Sequence, residues 1–546
     1  MIISQIKADF MSENKQNSNS KFLKGTMILA ISSIIVKVIG SLNWIILSRV
    51  LGGEGIGLYQ MGFPIYLMAI TVSSAGVPVA ISIITSEKLA NKDYRGAKRV
   101  FSISLRLLLV SGLLFSSALF FGADFLVNQH IIRDARAYYS IIALAPAVFF
   151  VTFLASFRGY LQGWQIMTPT AVSEVVEQLV RVITMLIFAE LFMPYGLAYA
   201  AGGASMGAGA GAFCALLVLM WFYRRLKQRL HKEIAAQDDS IPVESASHII
   251  KRLLKLALPV SLTSLMLPIG ANLDLLIVPQ RLEVAGFSVH HATELFGYLT
   301  GMAVPLVNLA TIFTASMTIS LVPSISESRA LGQFDAIRDK IRLAFRVAMI
   351  ITFPCFMGLF FLSEKVAALI YNAPGASGAI QAMSVGILFL GMHQISTGIL
   401  QGLGKTAIPV INMILACITK IGMSWWLTAI PYLGIRGASM ATVADFAVAA
   451  VLNMAFIYKY TGFTFSLGSL LRPLLASGVM GAVIYAVLNI TQQFGMWCVL
   501  FAMTAAVPTY ALALLAFGGL QKEDLDNIPF IGRRILSLGQ RFGLFK

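Results

Sequence analysis

The sequence predicts an all-α polytopic membrane protein of about fourteen transmembrane helices, arranged as two parallel six-helix lobes plus two C-terminal helices. Three observations carry that reading. Of the 546 residues, 58% are hydrophobic and 12% charged, with a mean hydropathy of +0.80; a soluble globular protein carries roughly 25% charged residues. The apolar residues gather in about fourteen runs, each of about 20 residues and long enough to cross a hydrocarbon core of ~30 Å. Finally, half of the chain recurs in the other half. Gly159, Gln162, Gly163 and Arg181 return at one constant spacing as Gly398, Gln401, Gly402 and Lys420. Pro169 and Pro409 match with one extra residue between them.

Taken in order, the apolar runs lie near 26–48, 60–84, 100–122, 138–158, 170–192, 200–223, 253–279, 297–323, 343–362, 379–401, 408–430, 436–458, 472–490 and 496–518. Residues 1–24 read as a cytoplasmic amino-terminal tail, polar and basic, with no apolar secretory-signal core. Met11 offers an alternative start there. The expected organisation is an N-lobe over 25–230, a cytoplasmic linker over 231–252, a C-lobe over 253–460, two further helices over 461–519 and a cytoplasmic tail over 520–546. The formal net charge is +16. Assigning each Lys and Arg to a side puts about thirty on one face of the membrane and about six on the other, so both termini are expected in the cytoplasm. Basic charge is thus a topology signal, and nucleic acid is not an expected partner.

The repeat extends beyond its first stretch. Ser86-Glu87 matches Ser326-Glu327, Lys98 matches Arg338, Arg106 matches Arg346, and GASMGAGAGAF from Gly203 matches GASMATVADF from Gly437. Six helices per unit, an even number, make the repeats parallel and relate them by an axis along the membrane normal. Gly203, Gly207 and Gly211 form a doubled GxxxG, which favours close helix packing over ligand contact. In the seventh helix Pro259, Pro268 and Pro279 predict a kink or break near Asn272 and Asp274, and Pro305 and Pro323 do the same for the eighth. The tail IPFIGRRILSLGQRFGLFK suits an amphipathic helix on the anionic inner leaflet.

Charges inside the apolar runs are the candidate functional residues, because an intramembrane charge is stable only when paired or hydrated. Lys37 lies ~16 Å into the first helix, too deep to snorkel easily. Arg181 and Lys420 sit at similar depth in the fifth and eleventh. Arg106 and Arg346 lie nearer the inner surface, where snorkelling would also explain them. Glu174, Glu177, Asp274 and Asp445 are the acids at comparable depth, read as ion-pair or coupling candidates. Glu177 and Arg181 stand at i and i+4 with the acid first, the favoured helical pair. The counterpart of Glu177 is Ala416, so Lys420 is expected to lack a partner and to face an anion-binding cavity, as is Lys37. Arg49 and Arg281, at outer helix ends, are expected to meet headgroups.

Other signals fail. GLGKT at 402–406 lacks the first glycine of a phosphate loop and follows a membrane helix instead of a strand. His290-His291 is poor chelating geometry, and the four cysteines (Cys214, Cys355, Cys417 and Cys498) have no metal-ligand spacing. No metal, cofactor or catalytic motif is expected, and the chain reads as a non-enzyme.

FLKGT at 22–26, LSRVLGGEGIGLYQM at 47–61, GVPVAISIITSEKLANKDY at 76–94, RGYLQGWQIMTPTAVSEVVEQLVR at 158–181 and NLDLLIVPQRL at 272–282 carry a resemblance over nearly the whole chain. It is to the polysaccharide-exporter branch of the multidrug/oligosaccharidyl-lipid/polysaccharide flippase superfamily. The resemblance implies a fourteen-helix fold, export of an undecaprenyl-pyrophosphate-linked glycan such as a peptidoglycan precursor for the spore cortex, and cell-wall synthesis proteins as partners. It also implies a groove for the polyprenyl tail at the thirteenth and fourteenth helices. Lipid II flippases of this kind have an arginine-rich first helix ending in Arg-Asp; here Lys37 takes one basic position, and Asn43 and Trp44 replace that pair. A cleft lined by Lys37, Asn43, Arg106, Arg181, Arg346 and Lys420 would hold the anionic headgroup, and Asp274 and Asp445 would couple transport to an ion gradient or potential. The alternatives are a cation or multidrug antiporter of the same superfamily, with buried acids dominating its cleft, a membrane-embedded glycosyltransferase, and a scaffold for wall synthesis.

Overall fold

The computed structural model describes residues 18–519 apart from 75, 236, 238–243, 465, 466 and 496. The expected amphipathic tail at 520–546, the start of the amino-terminal tail and the middle of the linker lie outside the described residues. Among the described residues all regular structure is helical. Nine helices are long and apolar enough to cross a membrane, or eleven when two bent pairs each count as one span. That number is consistent with fourteen crossings. Helix α1 (Ser18–Ser74) would be far longer than a bilayer core at 1.5 Å per residue, and it is two helices meeting at Gly52, whose φ of 66° only glycine adopts readily. Helix α5 carries Glu174, Glu177, Arg181 and Glu190 and is correspondingly less apolar.

After α1, the chain continues through α2 (Val77–Ala90), α3 (Tyr94–Asn128), α4 (Tyr138–Gly163), α5 (Thr168–Phe192) and α6 (Leu197–Ala235), completing the N-lobe. The C-lobe holds α7 (Ala246–Val284), α8 (Val289–Gly297), a π-turn (Tyr298–Ala303), α9 (Val304–Ala310), α10 (Ile312–Ala330) and α11 (Phe334–Tyr371). It ends with α12 (Ser377–Ser384), α13 (Gly386–Gly402), α14 (Ala407–Leu427) and α15 (Ile435–Thr461). Two further helices, α16 (Leu467–Ile490) and α17 (Trp497–Ala516), pack on each other and on α11.

The repeat is visible as a repeated set of packings. In the N-lobe α5 packs on α6, α4 on α6, α3 on α4, α1 on α5 and α2 on α4. Their counterparts in the C-lobe are α14 on α15, α13 on α15, α11 on α13, α7 on α14 and α10 on α13. The duplicated glycines explain why those residues recur. A Cβ at Gly159 would lie 2.5 Å from the Pro78 carbonyl oxygen, and one at Gly398 would lie 2.6 Å from the Thr318 methyl. Each glycine therefore lets α4 or α13 press against its partner without a side chain between them.

Of the two breaks that proline spacing predicts, the eighth span has one and the seventh is a continuous helix. Helix α7 runs unbroken through Pro259, Pro268 and Pro279, and Asn272 Nδ2 donates to the Pro268 carbonyl at 2.8 Å. The eighth span is the one that breaks: α8, the π-turn and α9 meet α10 at an angle of 51°. Substituted side chains and close helix contacts decide whether a proline bends a helix, and neither is legible from the proline alone.

Lysines and arginines of the α2–α3 turn, the start of α7 and the α10–α11 turn mark one face of the bundle, called here the basic face. There, among the described residues, α7 ties the lobes through Arg252 to Glu87, while Lys88 holds Glu244 at 2.9 Å. On the opposite face Arg49, Gln60, Glu54, Asp134 and Arg133 of the N-lobe all reach the C-lobe. The lobes are therefore closed on the face opposite the basic one.

Candidate functional site: two buried charge clusters

The fifth span organises the first cluster. Its pattern of apolar residues makes α5 a helix, and α6 fixes its position: Cβ atoms at Gly207 and Gly211 would lie 2.8 Å from the Arg181 carbonyl and 2.5 Å from the Glu177 carbonyl. The doubled GxxxG is thus a packing device, and what it positions is the charged stretch of α5. Arg181 Nη2 donates to Glu177 Oε1 at 2.7 Å, the i,i+4 pair expected from the sequence. Arg158 of α4 donates to the other oxygen, Glu177 Oε2, at 2.8 Å, and its Nε donates to Ser173 at 3.2 Å. One carboxylate is shared by two guanidiniums. Arg181 Nε is buried with no hydrogen-bond partner among the described residues, so the cluster holds an open donor in a low-dielectric setting. Glu174, half-buried, interacts electrostatically with Arg158 and Glu177.

Lys37 lies on α1, which packs on α5. A Cβ at Gly40, one helical turn further along α1, would lie 3.3 Å from Gln178 Nε2 of α5. Lys37 is exposed and makes no ion pair among the described residues. It shares a helix face with Ser33, Ile34, Ser41 and Trp44, whereas the exposed aliphatics Ile31, Ile35, Val38, Leu42 and Ile46 occupy another. Asn43 is buried, its Nδ2 3.7 Å from the Met185 sulfur and its Oδ1 without a partner.

The second cluster lies on the repeat-related helices. Lys420 of α14 is only 6% exposed and donates to Asp274 Oδ2 of α7 at 2.7 Å. Asp445 of α15 adds a second negative field to the same lysine. The expectation that Lys420 lacks a partner is therefore wrong, because its acid comes from a helix 146 residues away and not from its own turn. Asn272, two residues before Asp274, donates to the Pro64 carbonyl of α1 at 2.8 Å. Arg181 in turn reaches Tyr59 and Tyr66 of the same α1 segment electrostatically. Both clusters thus flank the second half of α1, one in each lobe.

The remaining candidates fall elsewhere. Arg106 is exposed on α3 and Arg346 half-buried on α11. Arg49 and Arg281 do not serve headgroups alone. Arg49 Nε donates to the Ile370 carbonyl at 2.8 Å, and Arg281 Nε to the Trp425 carbonyl at 2.8 Å, each capping the carbonyl end of another helix. Arg158 is the functional residue that sequence reasoning missed. It stands at the end of an apolar run, and α4–α5 packing turns it toward Glu177.

A family model described as "Polysaccharide biosynthesis protein" matches residues 22–329, and a second, "MatE", matches residues 299–426. The chain is 28% identical over 517 residues to stage V sporulation protein B of Bacillus subtilis, covering 94% of this chain and 99% of that one. It is 25% identical to the lipid II flippase MurJ of the same organism, covering 88% and 89%. Among solved structures, lipid II flippase MurJ in an inward closed conformation aligns with a TM-score of 0.67 at 17% identity, over 90% of this chain and 98% of that one. An inward-facing multidrug resistance MATE transporter aligns with a TM-score of 0.64 at 17% identity, over 80% and 98%. With fold, repeat and family model in agreement, the chain belongs to the polysaccharide biosynthesis protein family, as a multi-pass membrane protein.

Proposed function

We propose that this protein flips an undecaprenyl-pyrophosphate-linked glycan across the cytoplasmic membrane by alternating access of its two lobes, with both termini cytoplasmic. The relatives' names support a peptidoglycan precursor for the spore cortex as the cargo. The observation that carries the reading is the charge balance of the N-lobe cluster. Arg158 and Arg181 share the single carboxylate of Glu177, leaving one positive charge in excess in that triad beside a buried Arg181 N–H with no partner among the described residues. A pyrophosphate is anionic, and guanidinium donors suit it in number and geometry. Its polyprenyl tail can stay in lipid while the headgroup passes. Asp274 and Asp445 around Lys420 form the coupling site, where a cation or proton could exchange for the lysine's charge.

The test is headgroup translocation in proteoliposomes loaded with a defined polyprenyl-pyrophosphate glycan. Arg181→Ala and Lys37→Ala should slow flipping by at least tenfold, and Lys420→Ala should uncouple it from an imposed gradient. Unchanged flipping in the first two variants would reject the anion site. The second reading, a cation or multidrug antiporter, is favoured by the two acids around Lys420. Robust export of an organic cation without flipping of any lipid-linked glycan would establish it instead.

A further inference from the structure

The C-lobe holds a buried polar layer that neither charge cluster uses. Asn412 of α14 donates from Nδ2 to Asn453 Oδ1 of α15 at 2.9 Å, and both side chains are buried. Asn453 Nδ2 in turn faces three acceptors on α13: Ser396 Oγ and Thr397 Oγ1 at 3.1 Å each, and His393 Nδ1 at 3.4 Å. Two N–H groups cannot fully serve three acceptors, and the ring nitrogen is the most distant of them. His393 lies ~14 Å along α13 from its end at Gly402. A side chain that can ionise at that depth marks a place where a proton or ion is handled.

The repeat shows that the scaffold does not need this layer. At the spacing that maps Arg181 on Lys420, Thr397 takes the position of Arg158, Asn412 that of Ser173 and His393 that of Leu154. The offset that pairs Gly211 with Asp445 sets Asn453 at the position of Leu219. In the N-lobe Arg158 bonds Ser173, while Leu154 and Leu219 are apolar core. The C-lobe has thus exchanged a fixed guanidinium for a hydroxyl, and two core leucines for a histidine and an asparagine. A charge that is permanent in one lobe is conditional in the other.

Register joins the layer to the Lys420 cluster. The buried face of α14 reads Pro409, Asn412, Ala416, Lys420 and Ser424. Two turns along α14 from Asn412 stands Lys420, and two turns back along the antiparallel α15 from Asn453 stands Asp445, ~12 Å on each helix. Ala416 and Ala449, both buried, lie between.

Protonation has a defined consequence. A neutral ring that accepts at Nδ1 carries its hydrogen on Nε2; a proton taken from water onto Nδ1 makes both nitrogens donors. Nδ1–H then faces the Asn453 amide nitrogen, donor against donor. Rotating the Asn453 amide presents Oδ1 to the ring and turns Nδ2 toward Asn412, whose amide must rotate to accept. The hydrogen-bond chain from α13 to α14 reverses. Within the span, the titratable side chains on helices packed against α13 are Arg346 and Cys355 of α11 and Lys420, Cys417 and Asp445 of α14 and α15. Those of α10, Glu327 and Arg329, lie at its basic end, and α9 and α12 carry none. The ring's side-chain partner among the described residues is Asn453.

We propose that His393 is a proton-binding site of the C-lobe and that its protonation reverses the Asn453–Asn412 chain, carrying proton occupancy to the helix of Lys420. The link to transport rests on reading the Lys420 cluster as the coupling site; the proton site does not. The test is solid-state NMR of the full chain in lipid nanodiscs, with histidine and asparagine labelled by nitrogen-15, titrated from about pH 8 to about pH 4 without substrate. The His393 ring should titrate reversibly, and the side-chain amide signals of Asn453 and Asn412 should move along the same curve. Asn453→Leu, which copies the N-lobe residue, should leave Asn412 unmoved while the ring still titrates. A ring that stays neutral throughout, or an Asn412 amide that does not follow it in the parent chain, would overturn the proposal. In proteoliposomes an imposed pH gradient should change glycan flipping severalfold in the parent and not in His393→Leu. A gradient response kept by folded His393→Leu would also overturn it. No flipping in any chain, with the titration as expected, would support the proton site and overturn only the cargo.

Discussion

The two lobes solve the same problem with opposite charge arithmetic. Helix α5 and its counterpart α14 each carry a buried cation, Arg181 and Lys420, held against α6 and α15. In the N-lobe the acid is on the cation's own helix, Glu177, and the facing position on α6 is Gly211. In the C-lobe the position of Glu177 is Ala416, and the position of Gly211 is Asp445. The acid has moved across the helix pair. The N-lobe thereby shares one carboxylate between two cations, whereas the C-lobe shares one cation between two carboxylates. The duplicated scaffold thus carries a cation-rich cluster in one lobe and an acid-rich cluster in the other.

The largest expected effects come from removing those shared members. Glu177→Gln leaves Arg158 and Arg181 together without their carboxylate, and Lys420→Met does the same to Asp274 and Asp445. Breaking a buried ion pair costs about 3–5 kcal/mol, and thermal unfolding in detergent should show a loss of that order for each. Stability equal to the parent for both would break the comparison. Next in size, Arg181→Ala removes charge-assisted bonds of about 1.5–3 kcal/mol, so polyprenyl-pyrophosphate affinity by calorimetry should fall about 10–100-fold. Asp274→Asn should leave that affinity within about twofold. A similar loss in both would mean that the headgroup uses both lobes.

The exchanged position gives a smaller and sharper test. Gly211→Ala forces a Cβ against the Glu177 carbonyl and should cost about 1–3 kcal/mol as overpacking. Asp445→Ala, its counterpart, keeps the Asp274–Lys420 pair and should cost less than about 1 kcal/mol. Chemical unfolding that ranks them the other way would show that the alignment of α6 with α15 is wrong. The smallest effect concerns pH and the sealed face. Burial pushes the Asp134 carboxyl up, but Arg136 and the Thr293 hydroxyl outweigh it and hold it below the usual carboxylate range. A depressed acid contributes above its unfolded value and loses that contribution as pH falls through its folded one. With Arg136 and Thr293 bonded to it, the stability that Asp134 contributes should hold between pH 8 and 5 and fall only below the ordinary carboxylate value of ~3.9. Thermal unfolding measured along an acid titration checks this.

Much of the fold was legible because its signals are local or periodic. Apolar runs gave the helical membrane class, and the recurrence of Gly159 and Gly163 as Gly398 and Gly402 exposed the duplication. The Glu177–Arg181 pair was readable because both charges stand one turn apart on one helix. What failed was long-range. Lys420 finds Asp274 across two helices, and Arg158 turns inward only after α4 packs on α5. Prolines suggested breaks in the seventh and eighth spans; the eighth breaks after α9, while α7 is a continuous helix in which Asn272 bonds the Pro268 carbonyl.

The central claim is that the N-lobe cluster is the anion site of a flippase. Headgroup flipping of a polyprenyl-pyrophosphate glycan in proteoliposomes, compared between the parent chain, Arg181→Ala and Asp445→Ala, tests it most directly. The account predicts at least tenfold slower flipping in Arg181→Ala, under any driving force, and Asp445→Ala that differs from the parent only when a gradient is imposed. Flipping by Arg181→Ala at the parental rate would contradict it.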